Sequence, residues 1–217
     1  MSCKAAIFDL DGTLLDTLED IADSVNRVLR ARGFPLHQID AYRYFVGDGS
    51  RMLVKRALPE NERSDASVER CLSAFKKDYA DAWDVRTRPY KGIPELLDCL
   101  VQKGVRLAVC SNKPHAFTVL CVEKLLNNWH FDQIVGQSGR YPKKPAPDSA
   151  LAIVNAMGIP PTEALFVGDS GVDMQTAVSA GLLPVGAAWG FRPERELLAK
   201  GCRFLARRPL DILQLVG

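Results

Sequence analysis

Nothing in this sequence is long and apolar enough to cross a membrane. A span needs about 18 to 20 consecutive apolar residues, and polar or charged residues break every run before that length. An excess of one charge is also missing. Against 28 Lys and Arg stand 26 Asp and Glu, a formal net charge of +2. The basic residues are dispersed, and the nearest approach to a cluster is residues 203–208. Neither a nucleic acid nor a membrane surface is therefore expected as a partner. The 3 histidines, His37, His115 and His130, are too far apart for a local metal motif. The 6 cysteines include no C-x-x-C pair. Most sit in apolar contexts, which fits the reduced thiols of a cytoplasmic protein better than disulfides or zinc. Met1-Ser2-Cys3-Lys4 runs straight into an apolar segment, so no secretory leader is expected. Internal repeats and low-complexity tracts are absent too.

What is present is globular composition, 47% hydrophobic and 25% charged over 217 residues, enough for one large domain or for a core with an insert. After the opening apolar run, Leu18, Ile21, Ala22, Val25, Val28 and Leu29 recur at helical spacing. They predict a helix over about 17–32, with Asp16 or Thr17 as cap and Gly33 at its end. A glycine-flanked loop, Val46-Gly47-Asp48-Gly49-Ser50, precedes a helix-like stretch at 52–58, and a charged helical stretch follows at 64–83. From Pro89 onward helices and strands alternate, with strands expected at 105–110, 133–135, 164–167, 183–186 and 204–205 and a last helix from Leu210. Repeated βα units imply an α/β fold, a Rossmann-like parallel sheet with helices on both faces. The helical block interrupts that pattern just after the first strand. The expected organisation is a catalytic core of residues 1–15 and 87–217 with an inserted α-helical cap domain at 16–86.

The first strand ends in Asp9-Leu10-Asp11-Gly12-Thr13. Residues two apart in a strand point the same way, so both carboxylates project from one strand end, about 7 Å apart along the chain. A metal bridging them is one reading; attack by one acid while the other moves a proton is another. Gly12 permits a tight turn whose amides approach a ligand, and Thr13 offers a hydroxyl. Three further strand ends carry polar residues: Ser111-Asn112-Lys113, then Lys143-Lys144-Pro145-Ala146-Pro147-Asp148, then Gly168-Asp169-Ser170-Gly171-Val172-Asp173. Singly these read as a helix cap, a solvated lysine loop and an acidic turn. Together, at the carboxyl edge where open parallel sheets bind ligands, they point to phosphoryl transfer. A phosphate dianion needs its charge neutralised. Carboxylates outnumber the nearby lysines, so the acids imply a hard cation, Mg²⁺ on oxygen ligands. One carboxylate can then act as nucleophile and a second as general acid and base, while Lys144 and the Ser111 hydroxyl hold the transferring oxygens.

The order of these motifs resembles the haloacid dehalogenase superfamily of Mg²⁺-dependent phosphohydrolases, over the whole chain. The resemblance implies Asp9 as nucleophile, Asp11 as general acid/base, Ser111 as a phosphoryl ligand and Lys144 as the stabilising cation. It implies metal ligation by Asp9, by Asp11 through its backbone carbonyl and by Asp169, with Asp173 a ligand or an orienter of one. Lys143 competes for the lysine role, but Lys144 directly precedes Pro-Ala-Pro-Asp, as in the family. The helical insert corresponds to the family's cap. Its Val46–Ser50 loop with Leu53-Val54-Lys55-Arg56-Ala57-Leu58, together with Trp189-Gly190-Phe191-Arg192, resembles the phosphoglycolate phosphatase branch, although the family more often has Asn where Asp48 stands. Substrate contacts are expected from Gly12, Thr13 and Asn112 and from Gly47, Asp48 and Gly49, unless the last three form only a turn. Arg51 and Arg56 read as carboxylate ligands or as helix-surface arginines. The implied partner is a small phosphorylated metabolite, 2-phosphoglycolate first. A sugar-phosphate mutase, or a phosphatase for nucleotides, sugar phosphates or pyrophosphate, is the alternative. A non-catalytic protein on the same fold would have no need of the acid and lysine set. Monomer and homodimer are both compatible with the sequence.

Overall fold

An apolar run without a polar face belongs in a strand buried on both sides. Ala5-Ala6-Ile7-Phe8 is such a run, every residue fully buried. In the computed structural model, which describes residues 3–216, it forms β1 (Ala5–Phe8), the strand around which the sheet is ordered. The chain divides into two units: one runs up to Leu15 and resumes at Pro89, and the other is Asp16–Arg88. A short ribbon of β2 (Leu15–Asp16) and β3 (Arg88–Pro89) marks where the chain passes from one to the other and returns.

The Asp16–Arg88 unit is helical, with α1 (Leu18–Arg30), α2 (Tyr42–Phe45), α3 (Ser50–Ala57) and α4 (Asp65–Ala82). Helices α1 and α4 pack together, and Arg27 on α1 grips the Asp78 carboxylate on α4 with Ser24 donating to the same group at 2.6 Å. Ser64 caps α4, its hydroxyl accepting from the Ser67 amide. Thr17 stands at the start of α1 but does not cap it. Its backbone is already helical there (φ −107°, ψ 0°), which turns the hydroxyl from the first-turn amides, and Oγ1 has no hydrogen-bond partner. The acid that anchors this end is Asp20, buried and accepting from the amides of Arg86 and Thr87 and from the Thr87 hydroxyl at 2.8 to 3.1 Å. It thereby ties the first turn of α1 to the returning chain.

The other unit holds α5 (Ile93–Gln102), β4 (Arg106–Pro114), α6 (His115–Leu125), β5 (Phe131–Gln137), α7 (Asp148–Met157), β6 (Ala164–Gly168), α8 (Gly171–Ala180), β7 (Leu183–Ala187), α9 (Glu194–Ala199) and β8 (Phe204–Ala206). Six strands make one sheet in the order β5-β4-β1-β6-β7-β8, every pair parallel. Ala5, Ile7, Ala108, Cys110, Ala164 and Phe166 face α7 and α8 across one core layer. The alternate residues Ala6, Phe8, Leu107, Val109, Leu165 and Val167 are equally buried and by the strand period face the opposite side. There α5 packs on β4 and on a terminal 3-10 turn, Pro209–Leu215. Phe8 lies level with Val109 on β4 and Val167 on β6. Asp9, Ser111 and Asp169 therefore emerge near one another at the point where strand order reverses. All six cysteines are free thiols, and among the described residues no helix is long and apolar enough to cross a membrane.

Three elements differ from the sequence reading. Strand β4 runs on through Ser111-Asn112-Lys113, with a shifted register between Cys110 and Pro114, because those polar residues lie at the ligand edge and need no apolar partner. The closing segment is a 3-10 turn rather than an α-helix. Helix α2 is a single turn, too short to leave a periodic signature.

The Asp20 cluster gives a stability test. Asp20→Ala strands the buried Thr87 amide and hydroxyl, at about 1–3 kcal/mol for each unsatisfied group, and should lower the thermal midpoint by several degrees. Asp23→Ala, which loses only a half-exposed pair to Arg86, should leave the midpoint within about 1 °C.

Candidate active site

Four loops converge at the carboxyl edge of β1. The Asp9 amide still bonds across the sheet to Val167 at 2.9 Å, so the carboxylate leaves the strand from a rigid base. The chain then turns tightly: Gly12 donates to the Leu15 carbonyl, and Thr13, Leu14 and Leu15 all donate to the Leu10 carbonyl. Gly12 has φ +89°, and a side chain there would run into the Asp169 carboxylate and the Phe191 ring. This position therefore demands glycine twice over, for conformation and for space.

Lys144 is the hub of the site. Its side chain is 3% exposed, and its ammonium donates to Asp9 Oδ1 at 2.8 Å, Asp173 Oδ1 at 2.7 Å and the Cys110 carbonyl at 2.9 Å. These three acceptors match the three N–H bonds of an ammonium. Neighbouring Lys143 is exposed, so of the two lysines it is Lys144 that reaches the acids. Asn112 holds Lys144 in place: its amide accepts from the Lys144 N–H at 3.0 Å and donates to the Lys144 carbonyl at 3.1 Å. The Asn112 side chain, expected to touch substrate, is thus engaged in positioning the lysine.

Asp173 is similarly engaged. It closes a capping box at the start of α8, where its Oδ2 accepts from the Ser170 amide and hydroxyl while Oδ1 takes the Lys144 ammonium. Asp169 is held from another direction. Its carboxylate accepts from the Phe191 amide at 2.7 Å and, at 3.4 Å, from the Thr13 hydroxyl. The Trp189 indole donates to the Thr13 carbonyl at 3.0 Å. A side chain at Gly190 would strike Asp169 and the Gly12 carbonyl. The Trp189-Gly190-Phe191 segment after β7 is therefore a wall of the site.

Asp11, two residues beyond Asp9, faces a different cation. Lys113 Nζ lies 3.0 and 3.3 Å from its two carboxylate oxygens, with side-chain exposures of 5% and 12%. The Lys113 amide donates to the Ser111 hydroxyl at 3.3 Å, so Ser111 and Lys113 sit side by side on the irregular end of β4. Neither Lys113 nor the Trp189 wall received a role from the sequence. A lysine closing an otherwise apolar strand opposite Asp-x-Asp was the available signal for the first. The second is visible in sequence as Trp189-Gly190-Phe191-Arg192, but residue order does not show that this segment lines the site.

The remaining predicted residues lie in the helical unit. Gly47 and Gly49 both have positive φ, at +118° and +86°, in the turn between α2 and α3. Asp48 between them pairs with Arg56, which also donates to the Phe45 carbonyl. Arg51 bonds Asp65 and Glu69. Both arginines thus serve the helical unit itself, and the Arg56 pairing accounts for an acid at position 48.

Carboxylate oxygens of Asp9, Asp169 and Asp173 lie within 4.8 Å of one another, all three residues buried. Burial pushes the Asp9 carboxyl up to about 6, against the pull of Lys144 and with a further push from Asp173 and Asp11. Burial, then Asp173 and Asp9, drive Asp169 well above the carboxylate range, opposed by the Phe191 amide and Arg192. For Lys144, burial favours losing the proton, but Asp173 and Asp9 outweigh it and keep the ammonium above its ordinary value. Three buried carboxylates against one ammonium are an all-oxygen, electron-rich donor set, suited to a hard divalent cation.

Comparison with known proteins agrees with this architecture. The family model described as haloacid dehalogenase-like hydrolase matches residues 6–187. A phosphoglycolate phosphatase of Pseudomonas putida is 35% identical over 201 residues, 91% of this chain and 74% of that one. One from Aquifex aeolicus is 33% identical over 213 residues, 98% of this chain and 96% of that one. A crystal structure from Lactobacillus delbrueckii subsp. bulgaricus, provisionally assigned as a phosphoglycolate phosphatase, superposes with a TM-score of 0.93 at 32% identity and covers 100% of both chains. By sequence, fold and the placement of its acids, the chain belongs to the haloacid dehalogenase-like hydrolases.

Proposed function

We propose that this protein is a Mg²⁺-dependent phosphomonoesterase that works through a phosphoaspartyl intermediate on Asp9, with 2-phosphoglycolate, hydrolysed to glycolate and phosphate, as its foremost substrate. The observation that carries this reading is the pairing of two acids on one strand end with separate buried lysines, Asp9 with Lys144 and Asp11 with Lys113. The names of the 33–35% identical relatives support the choice of substrate.

In the first half-reaction an Asp9 oxygen attacks phosphorus, the phosphorus–ester oxygen bond breaks, and Asp11 gives its proton to the departing alkoxide. In the second, Asp11 takes a proton from water, the water oxygen attacks phosphorus, and the bond to Asp9 breaks to release phosphate. Lys144 steadies the Asp9 carboxylate before attack and its acyl phosphate after it. The Ser111 hydroxyl donates to a phosphoryl oxygen, whereas the amides of the Gly12 turn are taken by the Leu10 and Leu15 carbonyls. Asp9, Asp169 and the Asp11 carbonyl would hold Mg²⁺, which would supply the positive charge that a phosphoryl dianion requires beside carboxylates. Asp173 orients Lys144 and closes the donor set. The helical unit, inserted between the Asp9 motif and Ser111, is the part of the chain assigned to substrate selection as a cap. The reading requires no second macromolecule.

Phosphate release from 2-phosphoglycolate with Mg²⁺, and its loss in EDTA, is the direct test. Asp9→Asn should abolish turnover, and Asp11→Asn should lower kcat by about 10²- to 10⁴-fold while retaining Mg²⁺ affinity, because its carbonyl is unchanged. Turnover by Asp9→Asn near the wild-type rate, or equal loss of metal binding in both variants on calorimetric titration, would contradict these roles.

A second test concerns the protein without metal. Asp9 binds its proton more tightly folded, at about 6, than at its ordinary 3.8. Its contribution to stability is therefore fully present below about pH 3.8 and lost as pH rises through about 6. Neutral Asn does not titrate. In EDTA, Asp9→Asn should melt above wild type at pH 7–8, and the difference should shrink toward pH 4. Thermal melts across that range check the sign.

A further inference from the structure

The reaction as proposed leaves Lys113 without a task. Lys144 already serves the nucleophile, and its ammonium is saturated by Asp9, Asp173 and the Cys110 carbonyl. Lys113 is a second buried cation, its ammonium set against Asp11, where the leaving group departs, while its backbone amide donates to the Ser111 hydroxyl. A phosphate group gives no reason for a full positive charge there, since the ester oxygen is met by the acid itself.

We infer that Lys113 recognises a second anion on the substrate, a carboxylate on the carbon that bears the ester oxygen. The inference rests on the phosphomonoesterase reading above and narrows it to phosphorylated 2-hydroxy acids. The reach is right. A proton donor lies within about 3.2 Å of the oxygen it serves, and Lys113 Nζ is 3.0 Å from Asp11 Oδ1. Nζ is therefore within about 6 Å of the leaving oxygen, and a 2-carboxylate oxygen stands roughly 3 Å from that same oxygen by ordinary bond lengths. The charge pattern is right as well. Once Asp11 has given up its proton, a substrate carboxylate beside it needs a cation between the two, and an ammonium, with three rotatable N–H bonds, can bridge two carboxylates. Lys144 does so in this same site, between Asp9 and Asp173 at 2.8 and 2.7 Å. A buried charge–charge contact also discriminates strongly, because an uncharged group in its place leaves the ammonium poorly matched.

The experiment compares 2-phosphoglycolate with its uncharged isostere 2-phosphoglycolamide, in wild type and in Lys113→Met. Wild type should prefer the carboxylate in kcat/KM by about 10- to 100-fold. Lys113→Met should slow both esters through its contact with Asp11, yet bring the ratio between them to within a few-fold, chiefly through a raised KM for 2-phosphoglycolate. A lysine that only positions Asp11 predicts equal losses on the two esters and an unchanged ratio, which overturns the assignment. So does a wild type that treats both esters alike, and in that case the phosphatase reading stands. If wild type with Mg²⁺ hydrolyses neither ester, the phosphatase reading is the one that fails, and the assignment falls with it. Melting curves establish that the variant is folded; Lys113→Gln carries the same comparison if the Met variant is not.

Discussion

A lysine ammonium buried among carboxylates is stable only while every N–H is used, and the carboxylates tolerate one another only while the ammonium is there. Lys144 satisfies both conditions by reaching Asp9 at the end of β1, Asp173 at the start of α8 and the Cys110 carbonyl on β4. Much of the surrounding structure fixes the position of that one atom. The Asn112 amide pins the lysine backbone from β4, and the capping box at Ser170 fixes the direction of Asp173. The level ends of β1, β4 and β6 bring the three acceptors into range. Removing Lys144 would leave its buried carboxylates facing one another without a cation, at about 3–5 kcal/mol, so this ammonium holds the fold as well as the chemistry.

The edge of the sheet separates two electrostatic neighbourhoods from a five-residue motif. Asp9 and Asp11 are chemically identical and two positions apart, yet one pairs with Lys144 among the acid cluster while the other pairs with Lys113. Equal carboxylates acquire different work when their surroundings differ. Here the difference comes from the strand period and from the irregular end of β4, which brings Lys113 to Asp11 and leaves Lys144 to Asp9. The helical unit repeats the principle on a smaller scale. Asp48 in its glycine turn is matched by Arg56, and Asp20 by the amides of the returning chain.

Much of this was legible from residue order. Parallel strands announce themselves as apolar runs such as Ala5–Phe8 and Ala164–Val167, and the rule that ligands gather beyond their carboxyl ends brought Asp9, Ser111, Lys144 and Asp169 together before any coordinates. The choice of Lys144 over Lys143 followed from its place before Pro-Ala-Pro-Asp, and burial gives the same answer. What escaped was whatever depends on contacts rather than on residue type. Asn112 looks like a ligand-binding amide in sequence, and only its two bonds to the Lys144 backbone reveal a brace. Thr17 has the composition of a cap but a backbone already turned helical. The Trp189–Phe191 wall acts partly through a main-chain amide and the missing Cβ of Gly190, and residue order does not show what either of them faces.

That wall has a consequence for how the protein comes into being. Asp9 is made long before Trp189 and Phe191, yet the turn beside it is braced by the Trp189 indole, and the acid facing it is aimed by the Phe191 amide. Synthesis proceeds from the amino end. A nascent chain therefore carries Asp9 before the segment that completes its surroundings has been made. The finished geometry depends on a contact spanning 176 residues of sequence, so a truncated product keeps the reactive letters of the motif without the enclosure that gives them their chemistry.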